Sequence, residues 1–220
     1  MAGRQVRTWA WVAFAAQVLL VVSWIVAGFW QGPRYSVLAD SISDMYAVTA
    51  PGALFLVVVS TLCGLATVLF AGLSVWPSLR AAGASAAIGS VLLGLSIYGL
   101  VSVLTPFKRV ACRIAEEGCT PGDQLATTGG RLDLILSTAG IALFIGAVFF
   151  LSAAMARTPD WRYLARPGRW VGIAFVVLLV ASALAFGAFG LANRVLAITG
   201  AAAIAGLAWQ IARTPPKSSS

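Results

Sequence analysis

Histidine is absent from the 220 residues of the chain, and cysteine occurs only three times. Histidine is the usual axial ligand of haem and the commonest ligand of zinc and copper in proteins. An iron–sulfur cluster needs a set of cysteine thiolates that three scattered residues do not supply. The sequence therefore argues against a cytochrome and against a metal enzyme, and we expect no cofactor.

Charge is also scarce, at 10% of residues, whereas 60% are hydrophobic. A soluble domain has about 25% charged and about 45–50% apolar residues. The net charge of +8 does not indicate nucleic-acid binding, because the basic residues stand singly or in small groups at the ends of apolar segments. We predict no nucleic-acid partner; the partner that this composition indicates is the lipid bilayer.

Long apolar runs are what the sequence has in abundance. A helix of about 20 residues crosses the hydrocarbon core of a bilayer, and suitable segments without an internal charge lie at 9–30, 51–76, 81–105, 134–156, 170–190 and 195–212. The first is longer than the apolar core of a secretory signal, which favours a retained anchor. We predict an all-α, polytopic membrane helix bundle of about six transmembrane helices, forming a single domain over 1–220.

The last two segments are separated only by small and polar residues. Gly187, Gly190, Asn193 and Arg194 interrupt an apolar run that is too long for one crossing. Glycine tolerates turn conformations, and an arginine prefers the membrane interface. These residues predict a tight helical hairpin.

Orientation follows from the distribution of lysine and arginine between alternate loops. One side would carry Arg4, Arg7, Arg80, Arg157, Arg162, Arg166, Arg169, Arg213 and Lys217. The other would carry Arg34, Lys108, Arg109, Arg113, Arg131 and Arg194 together with Asp40, Asp44, Glu116, Glu117, Asp123 and Asp133. Since cytoplasmic loops are positive, we predict that both termini are cytoplasmic and that 31–50 and 106–133 are outer loops.

The first outer loop contains a pair of carboxylates, Asp40 and Asp44, in a segment whose apolar residues recur at helical spacing. This pattern predicts a short surface helix with its carboxylates toward water or an outer cavity. Such a pair could bind a cation or a basic ligand, or act as acid and base. The alternatives are that the carboxylates are solvated, neutralised by Arg131 or Arg194, or that Asp44 leads the chain into the second helix.

The second outer loop contains Cys112 and Cys119. The predicted orientation places both thiols in an oxidising compartment, where a disulfide is the natural inference. The alternative is a redox-active pair, although such motifs usually separate their cysteines by two residues. Tyr98 is a polar side chain near the bundle, and we group it with Asp40, Asp44, Arg131 and Arg194 as candidate ligand-binding residues. Small residues four apart, such as Ala202 and Gly206, predict close helix packing.

Several short motifs are spread over nearly the whole chain: Tyr35-Ser36, Ser41-Ile42-Ser43-Asp44, Pro51-Gly52, the segment from Trp161 to Arg166, Asn193-Arg194 and Trp209. Together they resemble the motifs of the domain-of-unknown-function family 998. The resemblance implies a bacterial six-helix membrane protein without an established reaction, cofactor or catalytic residue. Members often have a histidine near the start of helix four, where this chain has Arg131 and Asp133.

Our leading hypothesis is a non-enzymatic protein of the bacterial cytoplasmic membrane. It would bind a lipid or hydrophobic small molecule, or join a membrane-protein complex, through a cap made by the outer loops. One alternative is a membrane enzyme that uses Asp40 and Asp44. Another is a small-molecule transporter, for which the absence of buried charges and of broken helices is unfavourable.

Overall fold

Six long helices, described by a computed structural model over residues 2–184 and 187–214, account for most of the chain. They are α1 (Ala2–Gly28), α2 (Ala53–Phe70), α3 (Ala84–Leu95), α4 (Thr128–Arg157), α5 (Arg162–Leu184) and α6 (Phe189–Arg213). All six, with their short extensions, are long and apolar enough to cross a membrane. No strand occurs in the described ranges, so the prediction of an all-helical chain with six helices of membrane-spanning length is confirmed.

Two of the helices are irregular. After Phe70, α2 passes through a π-helical turn, Ala71–Val75, and continues as Trp76–Leu79 and Arg80–Ala82. The helix α3 stops at Leu95 and resumes only as Leu100–Val103. We did not predict this interruption.

The helices pack as a closed ring in the order α1, α2, α3, α4, α5, α6 and back to α1. Close approach is possible where glycine meets a neighbouring backbone. A Cβ on Gly64 in α2 would lie 2.7 Å from the carbonyl oxygen of Gly99, and one on Gly140 in α4 would lie 2.9 Å from the amide nitrogen of Ile97. These glycines let α2 and α4 pack against the interrupted part of α3.

Apolar side chains occupy both the inside and the outside of the ring. Phe70, Phe144 and Phe175 are among the largest fully buried side chains. On the outside, Leu54 is 71% exposed and Val177 is 60% exposed. Such an exposed apolar surface is unfavourable in water.

Several predicted helix boundaries were wrong. The fourth helix begins at Thr128 rather than 134, because the Thr127 hydroxyl accepts a hydrogen bond from the Gly130 amide and caps it. The fifth helix begins at Arg162 rather than 170, so most of the segment between the predicted fourth and fifth helices, 157–169, is helical. Arg131 and Asp133 therefore lie within α4.

The hairpin between α5 and α6 is confirmed, but its turn lies earlier than predicted. Gly187 has a φ of +81°, which favours glycine, whereas Gly190, Asn193 and Arg194 belong to the first turns of α6. Residues 185–186 and the basic residue Lys217 lie outside the described residues.

Candidate functional site

The two outer loops are bonded together by a buried carboxylate, that of Asp44, which is only 3% exposed. Its Oδ2 accepts hydrogen bonds from the amide and hydroxyl of Ser41, at 2.9 and 2.8 Å. Its Oδ1 accepts from Nε2 of Gln124 at 2.7 Å and from the Ile114 amide at 3.4 Å. Asp44 thus stabilises its own turn and joins it to the second loop.

Asp40 is also buried and serves a different turn. Its Oδ2 accepts a hydrogen bond from the Ser36 amide at 2.7 Å. Arg194 in α6 does not contact this carboxylate; it donates instead to the carbonyl oxygens of Val37 and Asp40, at 2.9 and 2.6 Å, and to the Tyr35 hydroxyl. The first loop is therefore held on α6 mainly through its backbone.

Two arginines of the second loop complete this cap. Arg109 donates to the carbonyl oxygens of Tyr46 and Ala47, both at 2.9 Å, and Arg113 donates to the carbonyl oxygen of Gln31 at 2.8 Å. The carbonyl oxygens of Gln31, at the start of the first loop, and of Tyr46 and Ala47, near its end, are satisfied in this way. We call residues 31–50 and 106–127 together the outer cap.

The disulfide predicted between Cys112 and Cys119 is present. Within its ring, Glu116 accepts a hydrogen bond from Nε of Arg113 at 2.8 Å and one from the Thr49 hydroxyl at 2.7 Å. Partial burial acts to raise the pKa of Glu116, but the hydrogen bonds from Thr49 and Arg113 outweigh it, so the pKa lies below its ordinary value. Glu116 is therefore ionised, and its hydrogen bonds link the two loops.

Beneath the outer cap lies a cavity of about 200 Å³, which we call the outer cavity. Residues of every helix and of both outer loops line it. Its apolar wall includes Leu20, Ile42, Ile97, Ile141, Phe175 and Leu196, and its polar side chains include Lys108, Asp133, Ser137, Ser102, Thr105, Ser43 and Asn193. An apolar space with a few convergent polar groups is typical of a small-molecule site.

The charged part of this cavity is an ion pair between Lys108 and Asp133. Their side chains are 10% and 16% exposed, and the Lys108 Nζ lies 2.7 Å from the Asp133 Oδ1. The Ser137 hydroxyl, one turn further along α4, lies 3.1 Å from the same oxygen. The ion pair is neutral overall, but it presents one positive and one negative group side by side to the cavity.

A second polar group lies on the opposite wall. The Trp24 indole donates to the Tyr46 hydroxyl at 2.8 Å, and this hydroxyl lies 2.5 Å from the Ser60 hydroxyl. Burial raises the pKa of Tyr46 to about 12, with the hydrogen bonds opposing this effect. The phenol is therefore neutral at physiological pH.

The floor of the outer cavity is a layer of three aromatic rings. Tyr98 and Phe175 each contact Phe144, with ring centroids 4.9 and 5.0 Å apart. Tyr98 lies in the interruption of α3 and donates from its hydroxyl to the Ala197 carbonyl oxygen at 2.7 Å. The Ile97 amide donates to the Gly140 carbonyl oxygen at 3.0 Å, so α4 satisfies a backbone group that the interruption leaves free.

Of the five candidate ligand-binding residues, Tyr98 is the one that lines the outer cavity. Asp40 and Asp44 are buried in separate turns and neither lines the outer cavity, so the expectation that both point toward water or an outer cavity was wrong. Neither forms an ion pair with Arg131 or Arg194 among the ion pairs of the described residues. Arg131 donates instead to the Leu125 carbonyl oxygen at 3.1 Å.

Sequence reasoning missed the ion pair of Lys108 and Asp133 and the interruption of α3. The predicted charge-free bundle is therefore corrected at its outer end. A signal for the pair was present, because two opposite charges stand just beyond the ends of two helices joined by one loop. The described residues hold no cluster of three acidic or thiol side chains that would suit a metal ion.

The fold defines a class, a ring of six helices of membrane-spanning length that encloses a capped cavity. No family model matches the chain, and neither a curated protein nor a solved structure was found to be similar to it.

Proposed function

We propose that the chain is an integral protein of the bacterial cytoplasmic membrane that binds a small amphipathic molecule in the outer cavity. The observation that carries the proposal is the Lys108–Asp133 pair beside an apolar wall beneath the outer cap. A ligand with an apolar body and one polar or zwitterionic end would complement both parts. The exposed apolar side chains around the ring support the placement in lipid.

Three further predictions belong to this proposal. Both termini are cytoplasmic, the outer cap faces the opposite side, and the chain belongs to the domain-of-unknown-function family 998. The first two rest on the basic residues at the inner helix ends, and the last rests on short sequence motifs alone. A membrane-protein partner on the outer cap is the other form of this hypothesis.

Photo-crosslinking tests ligand binding in the outer cavity. The probes are a short-chain diazirine fatty acid and, separately, a diazirine phosphatidylcholine, each added to the full chain in lipid nanodiscs. We expect the fatty acid to label residues such as Ile97, Ile141 and Leu196. Labelling spread evenly over the lipid-facing residues would contradict the proposal.

A pair of alanine substitutions provides the matched control. Ala197 lines the outer cavity, so Ala197→Phe should fill it and remove the labelling. Ala183 lies on the exposed face of α5, so Ala183→Phe should leave the labelling unchanged. Equal effects of the two variants would count against the cavity as the site.

A second candidate function is transport of the same class of molecule. It is favoured by the interruption of α3 at Tyr98 and by the buried ion pair, since transporter sites are often built on interrupted helices. Alternating access predicts that Ala197→Cys reacts with an impermeant thiol reagent from either side of the membrane. A protein that only binds its ligand would react from the outer side alone.

The enzyme alternative has less support. The carboxylates of Asp40 and Asp44 accept hydrogen bonds within the outer loops, and neither lines the outer cavity. Asp40→Asn and Asp44→Asn should accordingly lower the amount of folded protein. Loss of a cellular phenotype at unchanged abundance would instead favour catalysis.

A further inference from the structure

A second and larger cavity lies in the opposite half of the bundle, between α4, α5 and α6. Its volume is about 540 Å³. Its floor consists of the buried side chains of Leu93, Phe144 and Leu151, whereas Ala202 and Gly206 on α6 line it and are exposed. The cavity is therefore a groove that opens sideways between α5 and α6, and we call it the lateral groove. The predicted close helix packing at Ala202 and Gly206 was wrong.

The walls of the lateral groove offer almost no free polar group. The hydroxyls of Ser152 and Thr199 donate to carbonyl oxygens of their own helices, at 2.7 and 2.8 Å. Oε1 of Gln210, near the inner end, accepts a hydrogen bond from the Tyr163 hydroxyl at 3.2 Å. An occupant must therefore be apolar along most of its length, as a hydrocarbon chain is.

The inner end of the bundle, toward which the groove runs, is strongly basic. Arg162, Arg166 and Arg169 lie on the first turns of α5, and Arg213 ends α6. Among the described residues from 157 to 169, Asp160 is the acidic residue. Trp170, 69% exposed on α5, is typical of the headgroup region of a bilayer.

We propose that the lateral groove binds one acyl chain of an anionic phospholipid, whose phosphate lies beside Arg213 at the inner end of α6. The groove supplies the apolar contact and Arg213, on the same face of α6 as Gly206 and Gln210, supplies the charge preference. This inference rests on the membrane placement proposed above, but it does not depend on a ligand in the outer cavity. The aromatic layer of Tyr98, Phe144 and Phe175 stands between the two cavities.

Native mass spectrometry of the full chain in a neutral detergent tests this site. The probes are dioleoylphosphatidylglycerol, dioleoylphosphatidylcholine and glycerol 3-phosphate. We expect retention of phosphatidylglycerol to be several-fold stronger than that of phosphatidylcholine, since one basic residue near an anionic headgroup strengthens binding several-fold. Glycerol 3-phosphate should not be retained, because it lacks the chain; its retention would show a phosphate site and overturn the proposal.

Two glycine substitutions separate the lateral groove from general lipid contact. A Cβ on Gly206 or on Gly72 would meet no atom within 4 Å, so a side chain added at either position starts in open space. Gly206→Leu occupies the groove and should remove the retention of phosphatidylglycerol. Gly72→Leu, on the exposed surface of α2, should not. Equal retention by the two variants would overturn the proposal.

The charge argument is tested by Arg213→Gln, with Arg169→Gln, on the face of α5 away from the groove-lining residues, as the matched control. We expect Arg213→Gln to abolish the preference for phosphatidylglycerol while leaving weak retention of both lipids, and Arg169→Gln to leave the preference intact. An unchanged preference in Arg213→Gln would contradict the charge argument. Ala197→Phe, which fills the outer cavity, should leave the lipid preference intact. That variant distinguishes failure of the proposed ligand site from failure of the lateral groove.

Discussion

Lys108 and Asp133 are the residues whose loss the structure should tolerate least. Lys108→Met leaves the Asp133 carboxylate, 16% exposed, without its partner, and breaking a buried ion pair costs about 3–5 kcal/mol. We expect a loss near the lower end of this range, because both groups retain some exposure. Denaturant unfolding in mixed micelles measures it.

The double variant Lys108→Met with Asp133→Leu should recover most of this loss, because apolar residues of similar volume often replace a buried pair without cost. Additive losses would show that the two side chains do not interact. The same double variant should lose crosslinking in the outer cavity although it stays folded, which would show that the pair contributes to ligand binding.

Glu116 gives the outer cap an acid-sensitive contact. Since its pKa in the folded chain lies below the ordinary 4.5, the stabilisation is fully present above pH 4.5 and is lost as the pH falls through the lower folded value. We expect the cap of the wild-type chain to loosen below that pH. In Glu116→Gln the contacts with Arg113 and Thr49 are already weakened at neutral pH. The additional loosening of the cap in acid should therefore be smaller than in the wild type.

Hydrogen exchange of residues 106–127, corrected for the intrinsic effect of pH, measures the loosening. Asp123 serves as a comparison for Glu116. The hydroxyl and amide of Thr120 lower its pKa as well, but its side chain is fully exposed. An identical pH profile in Glu116→Gln and the wild type would assign the acid response to other groups.

The interruption of α3 predicts a strong difference between two nearby glycines. A Cβ on Gly99 would collide with the Gly94 carbonyl oxygen, whereas a Cβ on Gly94 would lie 3.7 Å from the Cβ of Ala71, an ordinary contact. Gly99→Ala should therefore cost about 1–3 kcal/mol by overpacking, and Gly94→Ala should be nearly neutral. Thermal unfolding of both variants checks this, and similar midpoints would contradict the close approach.

The disulfide of Cys112 and Cys119 should stabilise the cap more than the bundle. Its ring contains Arg113 and Ile114, which donate to the Gln31 carbonyl oxygen and to Asp44. Replacing both cysteines by serine removes about 2–3 kcal/mol by loop entropy. Faster hydrogen exchange should appear in 31–50 and 106–127 but not in α4, and exchange rising equally in both would refute a local role.

The existence of the six helices was predictable, because an apolar run of membrane-spanning length has few alternative structures. The helix boundaries were not predictable, since they depend on contacts between residues distant in sequence. Arg194 was expected in the turn of the hairpin, yet the carbonyl oxygens of Val37 and Asp40 satisfy it inside α6. The interruption at Tyr98 likewise depends on Gly140 of another helix, which no local pattern reveals.

At the scale of the whole molecule, the sequence indicated the cap but not the cavity. The acids and cysteines of the two loops pointed to the outer end of the bundle, and the structure brings these loops together there. The packing of the helices into a closed ring determines which charged side chains face inward. Lys108 and Asp133 line the outer cavity only because α3 and α4 are neighbours. The carboxylates of Asp40 and Asp44 instead accept hydrogen bonds within turns of the first loop.

Orientation in the membrane is the remaining whole-molecule prediction. The described residues form an even number of helices of spanning length, and Arg7 donates to the Ala212 carbonyl oxygen at 3.0 Å, so the start of α1 and the end of α6 lie at the same end of the ring. We predict that this end is cytoplasmic, because it carries the basic residues of the inner helix ends. Val48 in the outer cap is 61% exposed and Tyr163 at the inner end is 60% exposed. Val48→Cys should react with an impermeant maleimide on intact cells, and Tyr163→Cys only after permeabilisation. Cys63 is buried and should not react in either case, so the reverse labelling pattern would mean an inverted protein.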